Sequence, residues 1–188
     1  MTHVMAGLSS MSPSTNDVDE RVAAVVTEHH DLVWRLLRRF GVAEAEADDA
    51  AQQVFCVFAK RAREVPHDKE KTFLFGVVVR VAQATRRDRT RRAEVSDDDA
   101  IASVATTARG PDEQLDVERQ RALLDRLLED MPFELRTVFV LYEIEEMTMA
   151  EIATTLALRP GTVASRLRRA RETFRELGRR MQEERGLR

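Results

Sequence analysis

The sequence predicts an all-α protein made of two small helical bundles joined by a flexible acidic linker. Apolar residues recur three and four positions apart along most of the chain, which is the period of a helix with one buried face. Seven glycines and five prolines in 188 residues are too few for the many turns of an all-β protein. Residues 93–111 are acidic and rich in small side chains, so they are expected to be mobile and mark the linker.

The first bundle is predicted to span residues 18–92, after a flexible tail at residues 1–17 that has no apolar period. Its first helix covers residues 18–40 and ends at Gly41, because glycine readily takes the left-handed conformation that ends many helices. Its second helix covers residues 44–61. The apolar side of that helix holds Ala47, Ala50, Ala51, Val54, Phe55 and Phe58, and the polar side holds Asp48, Asp49, Gln52, Gln53 and Lys60. From spacing alone, the polar side is an ordinary solvated face.

The third helix is predicted over residues 71–92, after a polar loop at residues 64–71. Four valines among residues 77–81 could form a strand. A basic segment continues after them without a break and no partner strand is visible, which favours a helix. The helix ends with Arg86, Arg87, Arg89, Arg91 and Arg92. These arginines could contact a phosphate backbone, or they could simply offset the dipole at the helix end.

The second bundle is predicted to span residues 112–178, with a charged tail at residues 179–188. Leucines at helical spacing form its first helix, a Met-Pro pair at residues 131–132 ends that helix, and another helix covers residues 134–145. The pattern of residues 147–177 then predicts two short helices joined by a tight turn. These helices would together form a second hydrophobic core.

Residues 147–177 have the features of a helix-turn-helix. Thr148 is placed to cap the first short helix, with Glu151 as the second half of a capping box. Pro160 suits the first turn of the second helix, where its missing N–H costs nothing. The break at residues 157–159 is about the length that such a turn uses. The buried stripes are Ile152, Ala153 and Leu156 in the first helix, and Val163, Leu167 and Ala170 in the second.

The opposite side of the second short helix is predicted to read duplex DNA. It is small near its start and rich in arginine further along, and Arg and Ser side chains reach base edges and phosphates in a major groove. The alternative is an amphipathic hairpin whose arginines are only solvated. The candidate reading residues are Pro160, Gly161, Thr162, Ala164, Ser165, Arg166, Arg168 and Arg169.

The uneven distribution of charge also points to nucleic acid, although the net charge is −3. Residues 80–92 contain six arginines and one acid, and residues 159–188 contain ten arginines and four acids, with the acidic linker between them. No phosphate-binding loop, metal-spaced cluster or catalytic set is evident, so we expect neither an enzyme nor a cofactor. No apolar run is long enough to cross a membrane, and no secretory signal is visible. The single cysteine, Cys56, is expected to be a small buried hydrophobe in a protein of the reducing cytosol.

The chain resembles bacterial sigma factors of the extracytoplasmic-function type, within the sigma-70 family. The resemblance covers residues 25–92 and 111–177. Its specific part is C-terminal, where the family pattern is matched by Met131-Pro132, Leu135-Arg136, Val138-Phe139, Glu151-Ile152-Ala153, Gly161-Thr162-Val163, Ser165-Arg166-Leu167 and Arg169-Ala170-Arg171. The N-terminal match lies in Asp49-Ala50-Ala51-Gln52-Gln53-Val54-Phe55 and in Phe73-Leu74-Phe75-Gly76.

The resemblance implies a function for each part of the chain. Asp48, Asp49, Gln52 and Gln53 would bind the RNA polymerase core, and the second short helix of the helix-turn-helix would read the minus-thirty-five element. Phe73, Phe75, Arg80, Arg86 and Arg87 would engage melted promoter DNA near the minus-ten element. The acidic linker would thread through the polymerase, and an anti-sigma factor is a possible further partner. The protein would be cytoplasmic, without membrane insertion.

Some residues depart from the family pattern and leave a second interpretation open. Gln53 stands where an acid is common, Phe73 replaces a tryptophan, and Val79 and Arg80 stand where Arg and Asn are frequent. The second interpretation is a stand-alone DNA-binding regulator that has kept the C-terminal reader and lost the contacts with polymerase. A third is a helical partner-binding protein whose arginines are solvated.

Overall fold

The computed structural model describes the backbone of residues 15–95 and 112–186, and the side chains of residues 16–92 and 120–184. Its helices are α1 (Thr15–Arg39), α2 (Glu44–Arg61), α3 (Glu70–Val95), α4 (Asp112–Glu129), α5 (Phe133–Phe139), α6 (Met149–Thr155) and α7 (Pro160–Gly186). A 3-10 turn (His67–Lys69) precedes α3, and a π-helical turn (Val140–Ile144) continues α5. All regular structure in the described residues is helical, which confirms the predicted fold class.

Most of the predicted tail at residues 1–17 and of the predicted linker at residues 93–111 lies outside the described residues. The limits of the two predicted domains therefore remain predictions. We refer to α1–α3 as the first bundle and to α4–α7 as the second bundle.

The first bundle forms around apolar faces that the sequence places at helical spacing. Helix α2 begins and ends where predicted, and its buried side is the predicted set of alanines, Val54, Phe55 and Phe58. Helix α1 ends at Gly41, whose φ of 85° lies in the left-handed region, as predicted. The Gly41 N–H donates to the Arg38 carbonyl at 2.9 Å and the Val42 N–H to the Leu37 carbonyl at 3.0 Å, which is the Schellman ending of a helix.

Cys56 is exposed, so the prediction of a buried cysteine was wrong. Its sequence neighbours Phe55 and Val57 are apolar, but one residue advances a helix by about 100°. That rotation carries Cys56 away from the buried Val54 and Phe55 and onto the polar side of α2, three and four residues after Gln53 and Gln52. Apolar neighbours in sequence were therefore a poor guide to its surroundings.

The valine-rich segment of α3 is helical, which resolves the strand alternative in favour of the prediction. Val77 and Val78 are at most 1% exposed and Val79 is 8% exposed. They can all be buried because α3 packs against α1 and α2 and also contacts α6 of the second bundle. Tertiary packing thus outweighs the preference of valine for strands.

Arg21 fixes the loop that leads into α3. Its guanidinium donates to the carbonyls of Ala62 and Val65, at 2.6 Å and 2.7 Å, and to the Glu70 carboxylate at 2.6 Å. Both Arg21 and Glu70 have side chains that are only 14% exposed. Charge-assisted bonds of this kind are stronger than neutral ones, so α1 determines where α3 begins.

The second bundle closes around α5 and α7. Its most buried side chains include Leu128, Val138, Leu141, Ile152 and Val163, all at 0% exposure. The Phe139 ring stacks on Phe174 with their centroids 4.7 Å apart, which joins α5 to the middle of α7. The helix predicted at residues 134–145 is present, but its last turn is π-helical and leads to Glu146 with a φ of 56°.

The two bundles pack against each other, which the sequence did not predict. Their buried side chains belong to one continuous apolar cluster, and the Phe40 ring meets the Phe133 ring edge to face at 6.2 Å. We call this contact the bundle interface, formed by Arg39, Phe40, Lys71, Gly76 and Arg86 of the first bundle and by Phe133, Arg136, Glu145 and Thr155 of the second.

Candidate nucleic-acid interface

The start of the helix-turn-helix is fixed by the predicted capping box. The Thr148 hydroxyl accepts from the Glu151 N–H at 3.2 Å, and the Glu151 carboxylate accepts from the Thr148 N–H at 2.9 Å. Hydrogen bonds from the backbone and the hydroxyl of Thr148 hold the pKa of the Glu151 carboxyl below its usual value. Helix α6 therefore begins at a defined residue, and its position sets that of the turn that follows.

The turn between α6 and α7 is a second Schellman ending. The Ala157 N–H donates to the Thr154 carbonyl at 3.2 Å, and the Leu158 N–H donates to the Ala153 carbonyl at 2.8 Å. Ala157 has a φ of 52°, in the region that glycine adopts without strain. The chain thus reverses within three residues and α7 begins at Pro160, as predicted.

The rotation of α7 agrees with the sequence prediction. Val163, Leu167 and Ala170 are at most 3% exposed and face the core. A Cβ built on Gly161 would meet no heavy atom within 4 Å, so a surface could approach the start of this helix closely. The predicted reading residues Pro160, Gly161, Ala164, Ser165, Arg168 and Arg169 are exposed, and Thr162 and Arg166 are half-buried at the flanks.

The arginines of α7 differ in how they are held. Arg171 donates to the Glu143 carboxylate at 2.6 Å and lies 5.2 Å from the centre of the Tyr142 ring, and the bond to Glu143 raises its pKa. Arg168 pairs with Glu172 at 3.2 Å. Arg169 has no ion pair or hydrogen bond with another described side chain. Arg171 is therefore a structural residue, whereas Arg169 is exposed and available to a phosphate.

The residues predicted near the minus-ten element are not equally accessible. Arg80 and Arg87 are exposed on α3, and Phe73 is half-buried with its ring edge to face with Phe58 at 6.1 Å. Phe75 is only 3% exposed, so its ring cannot stack on a base in this conformation. Arg86 donates to the Phe40 carbonyl at 3.1 Å and lies 5.0 Å from the centre of the Phe133 ring, and burial lowers its pKa.

The polar side of α2 is exposed along its whole length. Asp48, Asp49, Gln52 and Gln53 all face outward, as their spacing predicts. The Trp34 indole N–H donates to the Asp48 carboxylate at 3.0 Å, a contact that the sequence did not predict. This bond fixes Asp48 in place beside the half-buried indole. The polar side is thus an exposed acidic and amide surface on a helix whose other side is buried.

Arg136 is a buried residue that the sequence analysis did not single out as functional. It is 2% exposed and donates to the carbonyls of Glu129 at 2.6 Å, Met131 at 3.0 Å and Arg39 at 3.4 Å. Burial, and then the nearby charge of Arg86, lowers its pKa to about 10, which still leaves it charged at neutral pH. No spacing rule reveals it, because its partners are backbone carbonyls from both bundles.

Neither a metal centre nor a membrane span is found in the described part of the chain. No group of three or more His, Cys, Asp or Glu side chains there could hold a metal ion. None of the helices described is both long and apolar enough to cross a bilayer. The candidate binding surfaces among the described residues are the exposed face of α7, the polar side of α2 and the partly covered face of α3.

Comparison with known families assigns both bundles. The family model for sigma-70 region 2 matches residues 25–92, and the model for sigma-70 region 4 matches residues 121–174. The chain belongs to the sigma-70 family, in its extracytoplasmic-function group. The resemblance noted from the sequence is thereby confirmed, and α6 and α7 are the helix-turn-helix of region 4.

Three similar proteins are named as sigma factors. The chain is 31% identical to the ECF RNA polymerase sigma factor SigE of Mycolicibacterium smegmatis, over 81% of this chain and 59% of the relative. It is 29% identical to the RNA polymerase sigma-H factor of Pseudomonas aeruginosa and to the ECF RNA polymerase sigma-E factor of Escherichia coli K12, over 80% of this chain and 82% of each relative. The chain thus spans less than two thirds of the mycobacterial relative and most of the other two.

Two solved structures share the fold. The sigma factor RpoE of Bartonella quintana, solved in complex with the anti-sigma factor NepR, has a TM-score of 0.66 at 19% identity, over 88% of this chain and 98% of that one. CnrH, solved in complex with the cytosolic domain of CnrY, has a TM-score of 0.59 at 20% identity, over 85% of this chain and 88% of that one. The likeness extends across both bundles.

Proposed function

We propose that this protein is a sigma factor that directs the RNA polymerase core to a set of promoters and begins transcription there, without chemistry of its own. One observation carries the proposal: sigma-70 regions 2 and 4 both match, and each presents an exposed face of the kind its function needs. The family match to region 2 and the intact polar side of α2 do not favour a stand-alone regulator, which would need only α6 and α7.

The exposed face of α7 would read the minus-thirty-five element. The small side chains of Gly161, Ala164 and Ser165 would let this helix approach the floor of the DNA major groove. Arg168 and Arg169 lie on the same exposed side and would contact bases and phosphates. The helix N-terminus at Pro160 would add a favourable partial charge near the phosphate backbone. Thr162 and Arg166, at the flanks, would complete the contact.

The polar side of α2 would bind the polymerase core, and the exposed part of α3 would engage the promoter near the minus-ten element. Asp49, Gln52 and Gln53 project from a rigid helix and can pair with a basic or amide-rich surface. Arg80 and Arg87 are free of protein cover and can contact melted DNA through its phosphates. An anti-sigma factor is a further proposed partner, since one of the solved structures above is named as a complex with the anti-sigma factor NepR.

Run-off transcription on fragmented genomic DNA tests the proposal. The purified chain added to core polymerase should produce discrete start sites whose upstream sequences share two elements. No gain over core alone on any fragment would overturn it. Gel filtration separates the alternatives, because a stand-alone regulator would not co-elute with core.

An α2 variant makes the test specific. Asp49→Arg should abolish co-elution with core while leaving the fold intact, because the side chain is exposed on the polar side. Asp48 is a poorer choice, since its loss also removes the bond to Trp34. Glu183→Arg makes the same charge change at the exposed end of α7 and should co-elute like the parent.

A further inference from the structure

Helix α7 continues for about three turns after the residues that the region 4 model matches, which end at position 174. The Phe174 ring stacks on Phe139 with their centroids 4.7 Å apart, and Leu177, one turn later, also packs against the core. These two side chains continue the buried side of α7 that holds Val163 and Leu167. The helix therefore keeps the same rotation beyond the matched residues.

The exposed side of α7 is continued by two arginines in this last part of the helix. Arg175 and Arg179 lie seven and eleven residues after Arg168, and a helix turns by about 100° per residue, so all three side chains point within about 20° of one direction. All three are exposed. At about 1.5 Å of rise per residue, Arg175 lies about 10 Å and Arg179 about 16 Å farther along the helix than Arg168.

Arg175 stands in an unfavourable row of like charges. The residues four positions before and after it are Arg171 and Arg179, and like charges at this spacing destabilise a helix. The helix dipole does not explain the row, because its attraction for cations is confined to the last turn and Arg175 lies about three turns before the end of α7. A polyanion bound along this side would remove the repulsion.

The acidic residues near this row do not neutralise Arg175. Glu172, three residues earlier, is paired with Arg168 at 3.2 Å. Glu183 lies 4.0 Å from Arg179, at the outer limit of an ion pair. Arg175 itself has no ion pair or hydrogen bond with another residue in the described part of the chain. Its guanidinium is exposed and free to bind an anion from outside the molecule.

We propose that Arg175 and Arg179 form a further site for backbone phosphates of duplex DNA, beside the minus-thirty-five element and independent of its sequence. The major groove is about 12 Å wide, so a helix with its first two turns in the groove has crossed to the groove edge by the position of Arg175. Sugar-phosphate backbone lies at that edge, and its charge matches the two guanidinium groups. The position on a promoter rests on the proposed function, whereas the affinity for phosphate does not.

The salt dependence of DNA binding tests the phosphate contact without polymerase or a promoter. The full chain is titrated onto a duplex of mixed sequence at several salt concentrations. Arg175→Ala should lower the log–log salt slope by about one, and the double variant with Arg179→Ala should lower it by about two.

Arg180→Ala is the matched control for these substitutions. Arg180 is exposed and of the same charge, but it lies about 140° around the helix from Arg175 and pairs with Glu176. Its removal should leave the slope unchanged. An unchanged slope in the double variant, or an equal fall in Arg180→Ala, would overturn the proposal.

Arg175→Glu separates DNA binding from folding. The new carboxylate would lie between Arg171 and Arg179, so it should raise the Tm of the free chain by relieving their repulsion. The same substitution places an anion against the phosphates and should weaken binding to the mixed-sequence duplex by about tenfold. A lower Tm together with weaker binding would show that Arg175 acts through the fold, and an unchanged affinity would show that it does not face DNA. Either result would overturn the proposal.

Hydroxyl-radical footprinting locates the site on a promoter. The complex of the chain with core polymerase should protect sugars next to the minus-thirty-five element. The Arg175→Ala, Arg179→Ala double variant should lose this outer protection and keep the protection inside the element. Identical footprints would place both arginines away from DNA and overturn the proposal. If run-off transcription finds no promoter, the proposed function fails, and the mixed-sequence duplex alone decides whether the phosphate site exists.

Discussion

Among the single residues that the structure describes, three with positive φ end helices or turns, and one of these three is glycine. Gly41, Glu146 and Ala157 have φ values of 85°, 56° and 52°. The left-handed region costs a residue with a Cβ roughly 1–2 kcal/mol. Glu146 and Ala157 therefore carry local strain that the surrounding bundle must outweigh. Glu146 lies just before the helix-turn-helix, and Ala157 lies in its turn, between α6 and α7.

Ala157→Gly is expected to stabilise the second bundle by about 1 kcal/mol. Glycine relieves the strain at a φ of 52°. It also raises the conformational entropy of the unfolded chain, which offsets part of the gain in stability. The free energy of unfolding from urea titration measures the change. Ala164→Gly, on the exposed side of α7 within a regular helix, should instead destabilise by about 1 kcal/mol. A loss of stability in Ala157→Gly would show that the turn does not hold this residue in the left-handed region.

Glu151→Gln is expected to change how stability depends on pH. The Glu151 carboxyl has a lowered pKa in the folded protein because Thr148 donates two hydrogen bonds to it, against a usual value of 4.5. Its stabilising effect is therefore present above pH 4.5 and is lost as the pH falls through the lowered pKa. Thermal melts should show a higher Tm for the parent than for the variant near neutral pH, and the difference should disappear in acid. A difference that stays constant down to acid pH would contradict the capping role of the carboxylate.

Among the helices, the features that depend on one buried face were predicted well from the sequence. The features that depend on contacts between residues distant in the sequence were predicted poorly. The bounds of α2 and the rotation of α7 follow from apolar spacing. The capping-box pattern of Thr148 and Glu151 predicts the start of α6. The π-helical turn after α5 has no such signal, since a pattern of period 3.6 does not distinguish it. Cys56 was misplaced because its apolar neighbours in sequence lie on another side of the helix.

Alanine substitutions of the α7 arginines should have two different effects on DNA binding. Arg169→Ala should weaken binding to all DNA sequences and lower the log–log salt slope by about one, because its proposed contact is a phosphate. Arg168→Ala should instead change which base is preferred, by about 1–3 kcal/mol, because its proposed contact is a base edge. Binding measured against a set of single-base promoter variants at several salt concentrations distinguishes them. Arg171→Ala is the control for structure, since it should lower Tm through loss of the Glu143 pair.

If Arg168→Ala and Arg169→Ala both bind like the parent, the face of α7 assigned to DNA is wrong. The pair between Arg168 and Glu172 adds a further check, because that bond must open before Arg168 can reach a base. Glu172→Ala should therefore increase affinity modestly and leave the sequence preference unchanged.

At the scale of the whole molecule, the net charge of −3 conceals two surfaces of opposite sign. The second bundle turns Asp125 and Glu145 toward the first bundle and turns the arginines of α7 outward. This arrangement could not be read from the sequence, because its contacts join residues such as Arg39 and Arg136 that lie far apart in the chain. Sequence patterns define each bundle, and only the folded chain shows how the two bundles meet.

The shared core predicts that the two bundles unfold together. Phe133 meets Phe40 edge to face and lies under the Arg86 guanidinium, contacts that together stabilise the bundle interface by about 1–3 kcal/mol. Calorimetry of the parent should show one cooperative transition.

Phe133→Ala should resolve this transition into two, since each bundle keeps its own core. Phe174→Ala removes a ring stack inside the second bundle and should lower Tm without separating the transitions. Two transitions in the parent, or one in Phe133→Ala with an unchanged Tm, would show that the interface contributes little to folding.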